Sequence, residues 1–365
     1  MTVSTETDVN KFLNSIELEA IGRPLGKIGR VLSVSHEGGR VAAKIELGIP
    51  VRSHLDAIVA QIEAQVREAT GAKAVDIDVS IKVSAHAPQG NLKPVAGIKN
   101  IIAIASGKGG VGKSTVAVNV ALALAGEGAS VGMLDADIYG PSQPHMLNLT
   151  GQQPVSEDGK TMLPLENHGL KVMSIGFLVD PDQPMVWRGP MVTSALNQLM
   201  HQTEWGELDY LIVDMPPGTG DIQLTLSQKV PVTGAVIVTT PQNIATLDAR
   251  KGLAMFRKVS IQVLGVIENM STHMCTACGH EEAIFGSGGA EKIAADFKTP
   301  LLGQLPLDGR IREQTDSGTP TVLSDPDSPA AGAYRAVALQ IAAAQAEQRA
   351  DYTSKFGNIV VEGGQ

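Results

Sequence analysis

The sequence predicts an α/β protein with a doubly wound, mostly parallel sheet, preceded by a small N-terminal α+β domain. Two observations predict the large sheet. From Ile98 onward, apolar strand patterns alternate with helical patterns, as in parallel sheets with crossover helices. A glycine-rich loop at 106–115 also stands between an apolar run at 101–105 and a helical pattern at 116–125. The smaller domain is predicted by a helix, hairpin, helix and strand order that ends near Ala85.

The N-terminal elements follow from apolar spacing and turn residues. Residues 8–21 predict an amphipathic helix, and residues 28–35 and 40–47 predict two strands joined by a Gly-Gly turn. A helix follows from Ser53, which caps it, to Gly71, and the alternation at 74–83 predicts a half-buried strand. The predicted organisation is a small domain at 1–85, a linker at 86–97, the large domain at 98–349 and a tail at 350–365.

The glycine-rich loop has the chemistry of a phosphate-binding P-loop, so the large domain is predicted to be a P-loop NTPase. Glycines let backbone N–H groups turn toward phosphate oxygens, and the helix N-terminus adds a positive dipole end. Lys113 is expected to reach the β- and γ-phosphates, and the Ser114 hydroxyl to be a Mg²⁺ ligand. The predicted ATP-binding residues of the loop are Gly107, Lys108, Gly109, Gly110, Val111, Gly112, Lys113, Ser114 and Thr115.

A second lysine in the loop, Lys108, is not required by a general P-loop. The Gly-Lys-Gly-Gly-Val-Gly-Lys-Ser sequence resembles the deviant P-loop of the ATPases that include the nitrogenase iron protein, the Min-system ATPases and the plasmid-partition ATPases. In that group the early lysine contacts the nucleotide of the other subunit. The resemblance therefore implies a homodimer that sandwiches nucleotide.

Two further segments supply carboxylates. Asp214 ends the apolar strand at 210–214, where a carboxylate is placed to hold Mg²⁺ through water. The strand at 130–134 leads into Asp135-Ala136-Asp137; in the resembling ATPases the second aspartate positions the attacking water and the first supports the Mg²⁺ shell. These roles are transferred to Asp137 and Asp135, although Asp137 could instead only cap the following turn. The resemblance thus gives Lys108, Lys113 and Asp137 as the catalytic residues.

The remaining alternation predicts strands at 170–177, 235–240, 263–267 and 301–306, and helices at 245–259, from about 310, and at 329–349. Asn269 follows the strand at 263–267. In the resembling family this asparagine reads the adenine edge, for which an amide has the necessary donor and acceptor. Pro306 is expected to border the base.

Cys275 and Cys278 are the only cysteines and form a Cys-x-x-Cys pair just beyond Asn269. Two thiolates cannot complete a four-cysteine site, but two copies of a symmetric dimer can supply four to one 4Fe–4S cluster. Zinc bound in one chain with His273 or His280 is an alternative. A redox pair is less favoured because the context lacks a thioredoxin-like helix start.

In residues 95–345 the chain resembles the Mrp (ApbC-type) family of iron–sulfur carrier P-loop ATPases. The ordered motifs are the deviant P-loop, Trp187-Arg188-Gly189-Pro190, Pro216-Pro217-Gly218-Thr219-Gly220-Asp221 and the cysteine pair. The resemblance implies slow ATP hydrolysis coupled to loading or transfer of a 4Fe–4S cluster, with apo iron–sulfur proteins and scaffold proteins as partners. The N-terminal domain resembles a domain of iron–sulfur assembly factors but has no cysteine, so we expect a docking or regulatory module.

Composition and charge argue against several classes of function. The net charge of −9 argues against non-specific nucleic-acid binding, and no apolar run approaches the roughly 20 residues of a membrane span. Residues 1–10 are polar and acidic and do not resemble a targeting signal. We therefore expect a cytoplasmic protein that binds neither nucleic acid nor membrane. A Min-like or partition-like spatial organiser is an alternative, but the tail is short and acidic and the charge is unfavourable.

Overall fold

The computed structural model describes residues 3–89, 92–178, 189–275 and 277–348. The predicted Trp187-Arg188 pair, part of the linker and the tail from residue 350 lie outside these ranges. The N-terminal elements are α1 (Glu6–Ser15), β1 (Glu17–Leu18), β2 (Arg23–Pro24), α2 (Leu25–Ile28), β3 (Gly29–Glu37), β4 (Arg40–Leu47), a 3₁₀ turn (Arg52–His54), α3 (Leu55–Thr70) and β5 (Ala74–Ile81).

These elements form a three-stranded sheet in the order β3-β4-β5, with β3 and β4 antiparallel and β4 and β5 parallel. The predicted helix at 8–21 is wrong in its extent: α1 starts earlier, at a capping box made by Thr5 and Asp8, and ends at Ser15. Leu18 and Ile21 are buried, but in a short strand and a turn. Apolar spacing alone does not distinguish this short strand and turn from a further turn of helix.

The second set of elements alternates strands and helices. They are β6 (Ile101–Ser106), α4 (Lys113–Gly126), β7 (Val131–Asp135), α5 (Gln143–Met146), β8 (Leu165–Asn167), β9 (Leu170–Ser174), a 3₁₀ turn (Ile175–Phe177), α6 (Gly189–His201), β10 (Tyr210–Asp214), α7 (Asp221–Lys229), β11 (Gly234–Thr239), α8 (Asn243–Lys258), β12 (Val263–Glu268), β13 (His273–Met274), β14 (Glu281–Glu282), α9 (Gly289–Phe297), β15 (Leu301–Gln304), α10 (Gly309–Asp316), α11 (Thr321–Ser324) and α12 (Pro329–Ala346).

The large sheet has eight strands in the order β15-β12-β11-β6-β10-β7-β9-β8, and only the β8–β9 pairing is antiparallel. The central strands β6, β10 and β11 are buried along their whole length, as expected for a sheet covered on both faces. This confirms the predicted doubly wound, mostly parallel fold. The strand order changes direction at β6, with β7 and β9 on one side and β11, β12 and β15 on the other, and such a switch point is where α/β sheets bind ligands.

The N-terminal unit packs against the large unit. One hydrophobic cluster runs from the small sheet to one face of the large sheet and includes Ile45, Ile62 and Val116. Polar contacts join the same surfaces: the Glu127 carboxylate accepts hydrogen bonds from Ser53, at the other end of α4 from the glycine loop. The precise domain limits stay predictions. None of the described helices combines the length and apolar character that crossing a membrane would require.

Candidate functional site: a glycine loop, buried carboxylates and a cysteine hairpin

The glycine loop connects β6 to α4 at the carboxyl end of the sheet. Gly110 (φ +81°) and Gly112 (φ +79°) adopt the left-handed conformation that side chains rarely tolerate, and Gly112 is the N-cap of α4. No side chain caps this helix start, and its first turn contains no acidic residue. The N-terminal N–H groups of α4 are therefore suited to bind an anion.

Two of the loop glycines are required by close neighbours. A Cβ atom on Gly107 would lie 2.2 Å from the backbone carbonyl carbon of Asp248 in α8. A Cβ atom on Gly112 would lie 2.3 Å from the Asn269 Nδ2 atom. The loop is thus held between α8 and the segment after β12. The half-buried Lys108 contributes its carbonyl oxygen, which accepts a hydrogen bond from the Ser106 hydroxyl (2.9 Å).

Lys113 joins the P-loop to the predicted carboxylates. Its Nζ atom forms an ion pair with Asp214 at the end of β10, lies 3.3 Å from the Ser114 hydroxyl, and is 4.0 Å from an oxygen of Asp137. Lys113 is 6% exposed and Asp214 is fully buried. Because isolated buried charges are costly, the Lys113 cation stabilises both carboxylates, which repel each other.

Asp135 is also fully buried, and its oxygens face the loop that follows β7. They accept hydrogen bonds from the N–H groups of Asp137, Ser142 and Gln143 and from the Ser174 hydroxyl. Burial, with the nearby negative charge of Asp214, raises the pKa of Asp135 to about 7. Asp135 therefore holds the loop that contains Asp137 in place through hydrogen bonds from the loop backbone.

Asp137 lies on the Lys113 side of that loop and is 13% exposed. Burial raises its pKa, while the charge of Lys113 acts in the opposite direction. The raised pKa makes this carboxylate a better proton acceptor than a free aspartate carboxylate. The structure thus brings the two predicted catalytic residues Lys113 and Asp137 together.

Gln143 is a site residue that sequence reasoning missed. Its Nε2 atom donates to Asp214 Oδ2 (2.9 Å) and to the Ser114 carbonyl oxygen (3.2 Å). It is fully buried, and its Oε1 atom has no hydrogen-bond partner among the described residues. The only sequence signal was its position six residues after Asp137, in a loop expected to approach the phosphates.

The donor atoms at this site suit a hydrated Mg²⁺ ion. A hydroxyl from Ser114 and a carboxylate from Asp214 are oxygen ligands of the kind that Mg²⁺ prefers, and Mg²⁺ usually keeps several waters. Two buried oxygens of the adjacent segment, Gln143 Oε1 and Ser142 Oγ, have no partner within the part of the chain that the structure describes. Buried oxygens of this kind can accept hydrogen bonds from metal-bound water.

Asn269 and Pro306 lie on neighbouring segments, and Asn269 contacts the glycine loop. The Asn269 Nδ2 atom donates to the Val111 carbonyl oxygen (2.9 Å), so this side chain supports the P-loop directly. The residue before Pro306, Leu305, donates its N–H to Glu268 (2.8 Å), which places the half-buried proline next to the Asn269 segment. Adenine reading by Asn269 and a base contact by Pro306 stay predictions.

The two cysteines lie in the loop of a hairpin formed by β13 and β14, which sequence reasoning did not predict. The Cys275 N–H donates to the His280 carbonyl oxygen, and the Gly279 N–H to the Cys275 carbonyl oxygen, both at 2.8 Å. Cys275 is half-buried and Cys278 is exposed. Hydrogen bonds from the Ala277 and Cys278 backbone lower the pKa of Cys275, which favours the thiolate that metals bind.

The histidines near the cysteines do not complete a metal site in this chain. His273 Nδ1 donates to the Leu307 carbonyl oxygen (2.9 Å), and His280 is exposed. Across the described ranges, no group of three or more His, Cys, Asp and Glu side chains is placed to hold a metal ion. The zinc alternative, which needs such a group, gains no support from this arrangement.

Comparison with known proteins places this site in context. A family model described as NUBPL iron-transfer P-loop NTPase matches residues 97–342, and one described as iron-sulfur cluster assembly protein matches residues 6–79. The iron-sulfur cluster carrier protein of Escherichia coli (strain K12) is 55% identical over 301 residues, which are 82% of this chain and 82% of that protein. The iron-sulfur cluster transfer protein NUBPL of Mus musculus is 53% identical over 251 residues, covering 68% of this chain and 78% of that protein.

Solved structures give a consistent fold. A nucleotide-binding protein in complex with ADP from Archaeoglobus fulgidus superimposes with a TM-score of 0.55 at 38% identity, covering 60% of this chain and 87% of that chain. The cell division ATPase MinD of Pyrococcus furiosus gives a TM-score of 0.51 at 23% identity, covering 66% of this chain and 98% of that chain. The second likeness concerns the fold alone.

Proposed function

This chain belongs to the NUBPL iron-transfer P-loop NTPase family, and we propose that it is an ATP-hydrolysing iron–sulfur cluster carrier that delivers its cluster to apoproteins. Relatives named as cluster carrier and cluster transfer proteins support the cargo. Membership of a P-loop NTPase family supports nucleotide hydrolysis in general. Slow hydrolysis coupled to cluster loading or transfer is the more specific part of the proposal.

The observation that carries the proposal is the incomplete thiolate site. Cys275 and Cys278 lie in an accessible hairpin, and no third metal-binding side chain joins them among the described residues. A 4Fe–4S cluster held by cysteines takes four thiolates, which two copies related by a two-fold axis would provide. The cluster is then cargo shared between two subunits.

Exposed apolar side chains near the glycine loop and beside the cysteine pair support a homodimer. Ile244 and Leu247 of α8 are 68% and 58% exposed, and they precede Asp248, which contacts the glycine loop at Gly107. Met274, beside Cys275, is 55% exposed. Apolar groups that cluster at a surface mark a contact with another molecule, and a second copy would cover both patches.

The nucleotide half of the mechanism uses residues that already meet. The N–H groups at the start of α4 and the Lys113 ammonium bind the phosphates, and Asp137 accepts a hydrogen bond from the attacking water and orients it. Ser114, through its hydroxyl, and Asp214, through water from the end of β10, would hold a hydrated Mg²⁺ ion, which would supply positive charge to the phosphates in the transition state. Lys108 would contact the nucleotide bound to the second subunit of the proposed dimer.

Anaerobic reconstitution tests the cargo. We expect a brown dimer with about two iron atoms per chain and an absorbance band in the visible range. Cys275→Ser and Cys278→Ser should each lose the iron and keep most ATPase activity, whereas His280→Ala should keep both. A colourless protein that contains zinc, with metal lost in His273→Ala or His280→Ala, would refute the cluster proposal.

Coupling to nucleotide needs its own experiment. Asn269 lies between the P-loop and the cysteine hairpin in the chain, so nucleotide state is expected to change how firmly the cluster is held. Transfer to an apo 4Fe–4S acceptor should differ in rate without nucleotide, with ADP and with ATP. Lys113→Met should abolish these differences and leave cluster loading intact. Equal rates under all three conditions would refute the coupling.

A further inference from the structure

We propose that Gln143 is a positioning residue for the hydrated Mg²⁺ of the bound nucleotide, with its Oε1 atom accepting a hydrogen bond from a metal-bound water. This inference rests on the proposed nucleotide binding and adds a residue to that site. Gln143 opens the short helix α5, directly after the loop that carries Asp137.

Two hydrogen bonds from Nε2 fix the direction of the Gln143 side-chain amide, and a third bond holds its backbone. The backbone N–H donates to Asp135 Oδ2 (3.1 Å), and Nε2 donates to Asp214 Oδ2 (2.9 Å) and the Ser114 carbonyl oxygen (3.2 Å). Rotating the amide by half a turn would place its oxygen against a carboxylate and a carbonyl, which are both acceptors. The orientation with Oε1 turned away from them is therefore strongly preferred.

The remaining atom of this amide lacks a donor. Gln143 is 0% exposed, and Oε1 has no partner among the residues that the structure describes. Leaving a buried acceptor unpaired costs about 1–3 kcal/mol, so such an atom calls for a specific explanation. A water molecule bound to Mg²⁺ supplies strongly polarised O–H donors.

The position of Gln143 points to this donor. Its amide lies against Asp214, the carboxylate expected to contact the hydrated ion, and against the backbone of Ser114, whose hydroxyl is the expected metal ligand. Asp135, Asp137 and Lys113 surround the same space. A metal-bound water that donates one hydrogen bond to Asp214 can then donate its second to Gln143 Oε1.

Binding of a fluorescent ADP analogue separates this role from a structural one. Its dissociation constant is measured for the full-length protein in excess Mg²⁺ and in excess EDTA. For Gln143→Met, which keeps the volume but removes the amide, we expect binding about tenfold weaker with Mg²⁺ and unchanged with EDTA. Replacing Mg²⁺ with Mn²⁺ and following free Mn²⁺ by EPR should show the same loss of cation binding without any turnover.

Two further variants complete the test. Gln143→Leu also removes the amide and should lower the ratio of the EDTA to the Mg²⁺ dissociation constant as Gln143→Met does. Gln345→Met is the matched control, since Gln345 is a buried glutamine with an unpartnered amide nitrogen among the described residues, and it lies beside Gly234 at the amino end of β11. It should leave both constants unchanged.

The outcomes are distinct. If Gln143→Met weakened nucleotide binding equally in Mg²⁺ and in EDTA, its role would be packing and the proposal would be overturned. Nucleotide binding that is unchanged in both conditions would also overturn it. A ratio that falls in Gln143→Met but stays at the wild-type value in Gln143→Leu would also overturn it. If the wild-type protein bound no nucleotide in either condition, the proposed function itself would fail.

Discussion

Replacing Gly107 with alanine should separate the helix α8 from the glycine loop. The added Cβ atom would lie 2.2 Å from the Asp248 carbonyl carbon, 2.3 Å from its oxygen and 2.6 Å from the Ala249 nitrogen. All three are backbone atoms of a helix packed on the central sheet, so no side-chain rotation relieves the overlap. Overpacking of this kind costs about 1–3 kcal/mol. For a chain of 365 residues that lowers the melting temperature by roughly 1–4 °C.

Gly109→Ala is the matched control in the same loop. Gly109 lies outside the left-handed region, and the closest atom to an added Cβ would be Pro217 Cγ at 4.0 Å. Its melting temperature should remain close to wild type, measured by circular dichroism without nucleotide. Gly107→Ala should also weaken nucleotide binding, because α8 and the loop move apart. A Gly107→Ala melting temperature equal to that of Gly109→Ala would refute this account of the loop packing.

Three other predictions concern the buried charges. Lys113→Met should abolish ATP binding and, by leaving Asp214 without its cation, destabilise the fold by about 3–5 kcal/mol in urea titrations. On folding, the pKa of Asp135 rises from 3.8 to about 7, so the folded protein binds more protons than the unfolded chain between these pH values. The free energy of unfolding should therefore fall as the pH rises through this window, and Asp135→Asn should reduce that pH dependence. Ser53→Ala should cost about 1–2 kcal/mol, and a double-mutant cycle with Glu127→Gln should show coupling between the two.

The central sheet could be predicted from sequence because its strands are continuous apolar runs bounded by glycine and aspartate. The P-loop could also be predicted, because phosphate binding fixes the spacing of Gly107, Gly112 and Lys113 in the chain. Asp214 was found for the same reason: it ends a buried strand beside β6. In each case the residue and the backbone geometry that it requires are close together in sequence.

Features that depend on distant contacts were not predictable. Gln143 reads as an ordinary loop residue, and only its burial against Asp214 reveals its place in the site. The direction of the Asp135 carboxylate depends on the path of the loop after β7, which apolar patterning does not encode. The hairpin around Cys275 has strands of only two residues, below the length at which alternation can be recognised.

The helix α4 connects the glycine loop of the large unit to the small N-terminal unit. Its 14 residues begin at Lys113 and end at Gly126, so it spans about 21 Å between the phosphate loop and the N-terminal unit. At its far end the Glu127 side chain accepts from Ser53, and the Glu127 carbonyl oxygen accepts from the Arg52 N–H (3.2 Å). A helix transmits tilt and translation as one rigid element. Any movement of α4 that accompanies nucleotide binding must therefore either carry the N-terminal unit with it or break the Ser53–Glu127 contacts.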